Sequence, residues 1–276
     1  MKRFTLLLAA SLALAASADP MYVQDIAQWR KVREEKLKAP DNWLSVAGLF
    51  WLHEGENKVG SDPLSDVVLP KGGPVHAGVL NLRGQVADWK PISGPAATTL
   101  DEKSKPLSFG SVDLFLIVRG PKTGIRMKDP NAETRVHFTG LKWYEAKPEW
   151  RFKGKWTAYD PPRTIRIPNV LGQVTDEVAP GYVEFTVKGK TFRLDPFIED
   201  DHLFFIFKDL TSTSTTYGAG RFLYTPFAKD GSLDLDFNKS ENPPCVFTAY
   251  ATCPLPPKQN VLPFAIPAGE TRYGKH

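Results

Sequence analysis

Histidine and cysteine are scarce, with five of the first and two of the second in 276 residues. That scarcity removes whole chemistries. Two cysteines cannot alone build a structural zinc site, which takes four ligands. His53-Glu54-Gly55-Glu56 is not His-Glu-x-x-His, and nothing else pairs metal ligands at site spacing. Neither a metal nor a cofactor is therefore expected. Gly-x-Ser-x-Gly and Ser-x-x-Lys are both missing, which excludes the common serine hydrolase classes. No apolar run reaches the roughly 20 residues that cross a bilayer, so no membrane span is expected. There is no internal repeat, and no low-complexity stretch beyond Thr211–Thr216. The formal net charge of +4 is spread along the chain without a basic face, so nucleic acid is not an expected partner.

Proline, glycine and phenylalanine are plentiful, at 24, 21 and 17 residues. That balance favours strands and turns over helices. The expected fold is mainly β: an N-terminal helix, a β-sandwich, then a second β-rich barrel or sandwich. Residues 1–18 read as a signal peptide, with Lys2 and Arg3, an apolar run from Leu6 to Ala16, and Ala16-Ser17-Ala18 as a small-residue cleavage site. Cleavage after Ala18 would send the protein to the periplasm or beyond. The remaining chain divides as helix 19–41, sandwich 42–135 and second β-domain 136–276.

Pro20 to Lys38 carries the helical period. Val23, Ile26, Trp29 and Leu37 fall on one stripe at about 100° per residue. Arg30 and Arg33 fall on that stripe too, while Lys31, Glu34, Glu35 and Lys38 point away. An arginine on a packed stripe needs a carboxylate, carbonyl or ligand partner, or its stem packs and its head reaches water. Arg30 and Arg33 are accordingly ligand candidates.

Asn42 to Leu52 is apolar and expected to be buried. Then come Gly60-Ser61-Asp62, the strand Asp66–Leu69, a Gly-Gly-Pro turn and His76. This order resembles forkhead-associated domains, which are β-sandwiches that read phosphothreonine. Ser61 stands where that family has arginine, and Gly73 where it has serine. The resemblance therefore implies the fold without the phosphate pocket, and makes His76 a structural residue of its own turn. Val112–Val118 is a strong strand, hairpinned through Gly120-Pro121 to Gly124–Met127, where Arg119 and Arg126 would meet. Asp129-Pro130-Asn131 marks a boundary.

In the second half, Trp143, Tyr144, Trp150, Phe152, Trp156 and Tyr159 read either as a stacking surface or as an aromatic core under a long loop. Thr164–Ile167, Tyr182–Val187, Thr191–Leu194, Leu203–Phe207 and Phe222–Tyr224 read as strands. Glu199-Asp200-Asp201 reads as a solvated turn or as part of a carboxylate pair. Leu233–Pro257 holds both cysteines, rigid Asn242-Pro243-Pro244 and Cys253-Pro254 corners, and a strand-like CVFTAYAT between them. Asp234, Asp236 and Asn238 alternate along a strand onto one face, a pattern that suits a polar ligand or calcium. Cys245 and Cys253 are either a disulfide or two buried thiols. Tyr217 and Arg221 flank two glycines at the entry to a strand. Arg221 is read as paired with Asp236 or Glu270, or as holding a ligand anion.

DFNKSENPPCVFTAYATCPLPPKQN, Ala268-Gly269-Glu270, Thr216-Tyr217, Gly220–Leu223 and Gly48–Leu52 together resemble a bacterial family, domain of unknown function 1684. The resemblance implies no reaction or ligand. Glu241 stands where the family usually has an aromatic. The expected function is an exported protein that binds a small polar or anionic ligand in the second β-domain, through Tyr217, Arg221, Asp236, Asn238, Asn242, Arg30 and Arg33. The alternatives are a glycan or ester hydrolase using Asp or Glu, and a structural interaction module.

Overall fold

The computed structural model describes residues 19–274. The signal peptide assigned to residues 1–18 lies outside the described residues. The fold is mainly β, with one long helix at its start.

Helix α1 (Pro20–Leu37) begins where Asp19 accepts the Met21 N–H at 3.0 Å and Pro20 takes the first helical position, which needs no donor. The strands β1 (Val46–Trp51), β2 (Gly55–Gly60), β3 (Val67–Val68), β4 (Gly78–Arg83), β5 (Val86–Pro91), β6 (Thr98–Leu100), β7 (Leu107–Phe109), β8 (Val112–Arg119) and β9 (Lys122–Lys128) follow. They make two sheets, ordered β3-β2-β4-β5-β6 and β1-β9-β8-β7. One core joins them: Leu80, Leu82 and Trp89 meet Leu114, Leu116, Ile125 and Met127. Strand alternation then turns Arg126, between Ile125 and Met127, to the opposite face of β9. That face is covered by the C-terminal region, where Thr248 donates to the Val46 carbonyl at 3.0 Å and Arg119 to Thr252 at 3.3 Å. Arg126 pairs in register with Phe115, and Arg119 with Lys122, so the two arginines are not cross-strand partners. His76 is exposed rather than bonded into its turn.

A short helix, α2 (Glu133–Val136), leads to β10 (Arg151–Pro168), β11 (Val174–Val187), β12 (Lys190–Leu194), β13 (Phe197–Glu199), β14 (His202–Phe207), β15 (Arg221–Thr225) and β16 (Ser232–Asp236). The sheets β12-β11-β10-β16 and β13-β14-β15 curl as a half-barrel around Phe185, Phe205, Phe207, Leu235 and Phe237. Trp150, Phe152 and Trp156 pack on this core. They are core residues as the second reading had it, but they lie on and just before β10, not under a loop. β10 is paired on both edges, and Phe152, Gly154 and Trp156 alternate onto its inner face.

Two expectations for the C-terminal block fail. CVFTAYAT is not a strand: Pro243 and Pro244 start a 3-10 turn over Pro244–Val246, and the Cys245 N–H goes to the Cys253 sulfur at 3.1 Å instead of a sheet neighbour. Asp234, Asp236 and Asn238 do not share a strand face either. β16 stops at Asp236, whose carboxylate caps a turn over Phe237–Lys239 by accepting the Asn238 N–H at 3.1 Å. Asp234 stays outside, paired with Arg151 at 2.8 Å.

Asn260 ties the block to the half-barrel. Its amide donates to the Asp195 and Ile206 carbonyls, each at 2.9 Å, and its oxygen accepts the Asp195 N–H at 2.8 Å. The side chain is fully buried. Asn260→Ala strands three backbone groups away from water and should cost about 1–3 kcal/mol. Urea unfolding should show a lower midpoint at unchanged slope, and an unmoved midpoint would refute the role.

Candidate functional site: a cleft under the first helix

The inner face of α1 is polar as well as apolar. Ile26 and Leu37 are buried, and Tyr22, Arg30 and Arg33 stand in line with them. The two arginine heads do not escape to water. Arg30 donates to the Tyr144 carbonyl at 2.9 Å and lies over the Trp143 ring at 4.9 Å, while Trp29 meets the same ring edge-on. Arg33 donates to Glu270 at 3.0 Å, lies 3.2 Å from Glu241 and reaches the Asn242 carbonyl at 3.4 Å. Glu34, placed on the outer face by the helical period, accepts the Leu141 N–H at 3.0 Å.

Beside these contacts lies a cleft of about 930 Å³. One wall is α1, with Trp29, Arg33 and Lys36. The floor is aromatic: Phe204 stacks on Tyr224 at 4.8 Å and meets Phe222 edge-on at 4.8 Å. Phe222 exchanges both backbone hydrogen bonds with Glu241, at 2.9 and 2.8 Å, which sets Glu241 against the end of β15. Trp43, Arg119, Thr252 and Cys253 line another part of the wall. An apolar floor with a few convergent polar groups is the ordinary make-up of a small-molecule site.

The charges in the cleft are strongly biased by burial. Desolvation pushes Glu241 up to about 7, against the opposing pull of Arg33. Desolvation likewise raises Glu270, against the opposing pull of Arg33 and of the Asn242 N–H, 2.7 Å away. Arg33 is opposed by its own burial, yet Glu270 and Glu241 keep its guanidinium above the usual value. Glu199 is exposed at the rim but ends β13, paired with His202, so that only Asp200 and Asp201 form the turn; what cover Glu199 has raises its carboxyl, and Tyr224 donates to it at 3.4 Å.

Of the ligand-binding candidates from the sequence, Arg33 and Asn242 line the cleft, and so do Glu199 and Asp200 of the acidic run and Cys253. The other ligand-binding candidates lie elsewhere. Asp236 and Asn238 bind Tyr22 of α1, each at 2.8 Å, and Asn238 also bridges the Lys147 backbone. Arg221 is fully buried, and its partner is neither Asp236 nor Glu270 but Asp209 at 2.6 Å, with the Ile266 and Ala268 carbonyls also accepting from its terminal nitrogens and its Nε left without an acceptor. Tyr217 is half-buried with its hydroxyl on Cys245, and burial raises its pKa. Cys245 and Cys253 are two free thiols, and the Cys253 sulfur accepts the Cys245 N–H. Their mutual hydrogen bond raises Cys253 and lowers Cys245. Glu241, Tyr224, Trp43 and Arg119 had not been counted as site residues. The one sequence signal among them was Glu241, an acid where an aromatic was expected.

A second hollow, of about 580 Å³, lies at the irregularity between Ala158 and Arg163 of β10. Its arginines are already engaged: Arg163 sits over Tyr159 at 4.1 Å, and Arg193 over Tyr182 at 4.0 Å and against Asp195 at 2.8 Å. Among the described residues no three His, Cys, Asp or Glu side chains cluster to hold a metal, and no helix is long and apolar enough to cross a membrane.

Residues 136–271 match the model of a family described as "Protein of unknown function (DUF1684)". No curated protein matches the chain. A solution NMR structure of an uncharacterized protein from Haloarcula marismortui is 27% identical over 50% of this chain and 78% of its own, with a TM-score of 0.42.

Proposed function

We propose that this chain, whose C-terminal half matches that uncharacterised family, is an exported protein that binds a small polar molecule in the cleft under α1. The cleft itself carries the reading: about 930 Å³ with a Phe204–Phe222–Tyr224 floor and convergent Arg33, Glu241 and Asn242. A solvent-filled gap between packing elements has no need of a carboxyl group held near neutral pKa above an aromatic floor. The first sandwich is read as forkhead-associated-like in architecture alone. Ser61 donates to the Gly73 carbonyl at 2.9 Å, so the two positions that would clasp a phosphate bind each other.

The expected result is selective perturbation. In an NMR screen of sugars, polyols, amino acids and carboxylic acids, a hit should move the indole N–H signals of Trp29 and Trp43, which line the cleft. Trp89, buried in the first core, should stay still. Hits that move Trp89 alone, or no hit in the whole set, would sink the reading.

One observation favours a second reading, hydrolysis through carboxyl groups. Glu241, at about 7, exchanges protons at neutral pH, and Glu199 lines the same cleft. Turnover of a chromogenic glycoside or ester that disappears in Glu241→Gln would establish it.

A further inference from the structure

Directly behind the wall of the cleft, against Trp43, lies a cation without a hydrogen-bonded counterion. Arg126 is only 7% exposed. Its Nε and one terminal nitrogen are fully buried and have no hydrogen-bond acceptor among the described residues. The other deeply buried guanidiniums are paired, Arg221 with Asp209 and Arg33 with Glu270. Glu102, the carboxylate whose field reaches Arg126, is already bound to Arg119 at 2.8 Å. A buried charge without a counterion is strongly unfavourable and is rarely retained without one.

The surroundings of Arg126 are those of the cleft. Its guanidinium lies 4.9 Å from the centre of the Trp43 ring. The charged and titratable groups that act on it are Arg119, Cys253 and Glu102, and the first two line the cleft with Trp43 and Thr252. Burial, with Arg119 adding repulsion, lowers its pKa to about 10, which leaves it a cation at neutral pH. Two guanidiniums therefore repel each other beside the cleft, and one has buried N–H groups with nothing to receive them.

Resting on the reading of the cleft as a binding site, we infer that Arg126, with Arg119, forms a subsite for an oxyanion, the carboxylate or phosphate of the bound molecule. The planar guanidinium fork matches both groups. Trp43, which lines the cleft, packs on the guanidinium from one side. Thr252 lines the same wall and adds a hydroxyl.

The test is thermal unfolding of the full chain in sodium phosphate and in sodium acetate, each against sodium chloride at equal ionic strength. A tenfold excess of anion over its Kd should raise the wild-type Tm by about 3–5 °C. Whichever salt acts identifies the oxyanion. Arg126→Met should abolish the rise, and without anion it should melt at or above wild type, because it removes an unpaired charge while keeping the stem. Arg119→Met should weaken the rise. Neither salt shifting wild type, or a shift that survives Arg126→Met, overturns the subsite. Should Arg126→Met not fold, the Arg126 Nε–H signal of wild type must move on titration with either anion, and stillness overturns the subsite in the same way. Uncharged molecules that move Trp29 and Trp43 while both anions leave Arg126 unmoved would keep the binding cleft and remove the oxyanion. Anions that move Arg126 while the screen leaves Trp29 silent would do the reverse.

Discussion

Replacing Arg221 with methionine should cost about 3–5 kcal/mol, the usual penalty for removing one partner of a buried ion pair. Both side chains of the Arg221–Asp209 pair are 0% exposed. Asp209 does more than neutralise: its other oxygen accepts from the Thr211 N–H at 2.7 Å, the Thr211 hydroxyl at 2.6 Å and the Ile266 N–H at 3.3 Å. Arg221 in turn draws the Ile266 and Ala268 carbonyls inward. Stripping the guanidinium leaves a carboxylate and two carbonyls in a dry interior, over the face of Phe207. Asp209→Asn should be nearly as damaging, because it leaves the cation. The double variant Arg221→Met/Asp209→Asn should lose less than the two singles summed, since neither charge then remains. Urea unfolding of all four proteins measures this. A single variant within about 1 kcal/mol of wild type would show that the pair is not what locks the last thirty or so residues, since a broken buried pair costs several times that.

Stability should fall as pH rises from 5 to 8, and Glu241→Gln should flatten that fall. The folded pKa of Glu241 is about 7, above its ordinary 4.5. The folded protein therefore holds this proton more tightly than the unfolded chain does. The advantage is complete below about pH 4.5 and is lost as pH climbs through 7, a difference of at most about 3 kcal/mol. Glu270, also raised, adds in the same direction. Arg33 titrates far above this window and so cannot cancel it. Lys36 and Arg33 both pull Glu241 downward, and Glu270 and Glu199 push it up. Urea midpoints at pH 5, 6, 7 and 8 are the measurement. A wild-type profile without slope, or the same slope in Glu241→Gln, would refute the assignment. The sign is unusual, since most carboxylates in proteins stabilise on ionising.

Much of the strand pattern was legible because it rests on local chemistry. VDLFLIV and LFFIF can hardly be anything but buried strands, and both are. The hairpin of β11 and β12 was legible from Gly189, although its two-residue turn is Lys188-Gly189, one residue earlier than the Gly189-Lys190 read from the sequence. Arg33 was legible as a site candidate because a charge on an otherwise apolar helix stripe demands a partner. Its partners were not, because Glu241 and Glu270 are brought to it only by closure of the whole chain. Asp209 shows the same limit. It follows a strand and caps a turn, which is a complete local explanation for an aspartate, and nothing nearby announces its salt bridge to Arg221. Asp236 misled for the opposite reason: period-2 alternation was carried two residues past the point where the strand stops. Arg126 was visible as a charge between two core positions of a strand, yet only the packing of the C-terminal region over β9 makes it a buried one.

The clasp between Arg33 and Glu270 joins positions 237 apart in the chain. A ribosome adds residues in order, so α1 emerges early and waits for almost the entire remainder to be made before its inner face can be satisfied. Until then Arg33 and Tyr22 have no carboxylate or amide to meet, whereas the Tyr144 carbonyl that Arg30 meets is made earlier, 114 positions on. The contacts that build the cleft wall are among the least local in the molecule, and non-local contacts are the slow ones to form. The cleft is thus a product of the last stage of assembly. A nascent or shortened chain can hold a finished first sandwich and still have no cleft at all.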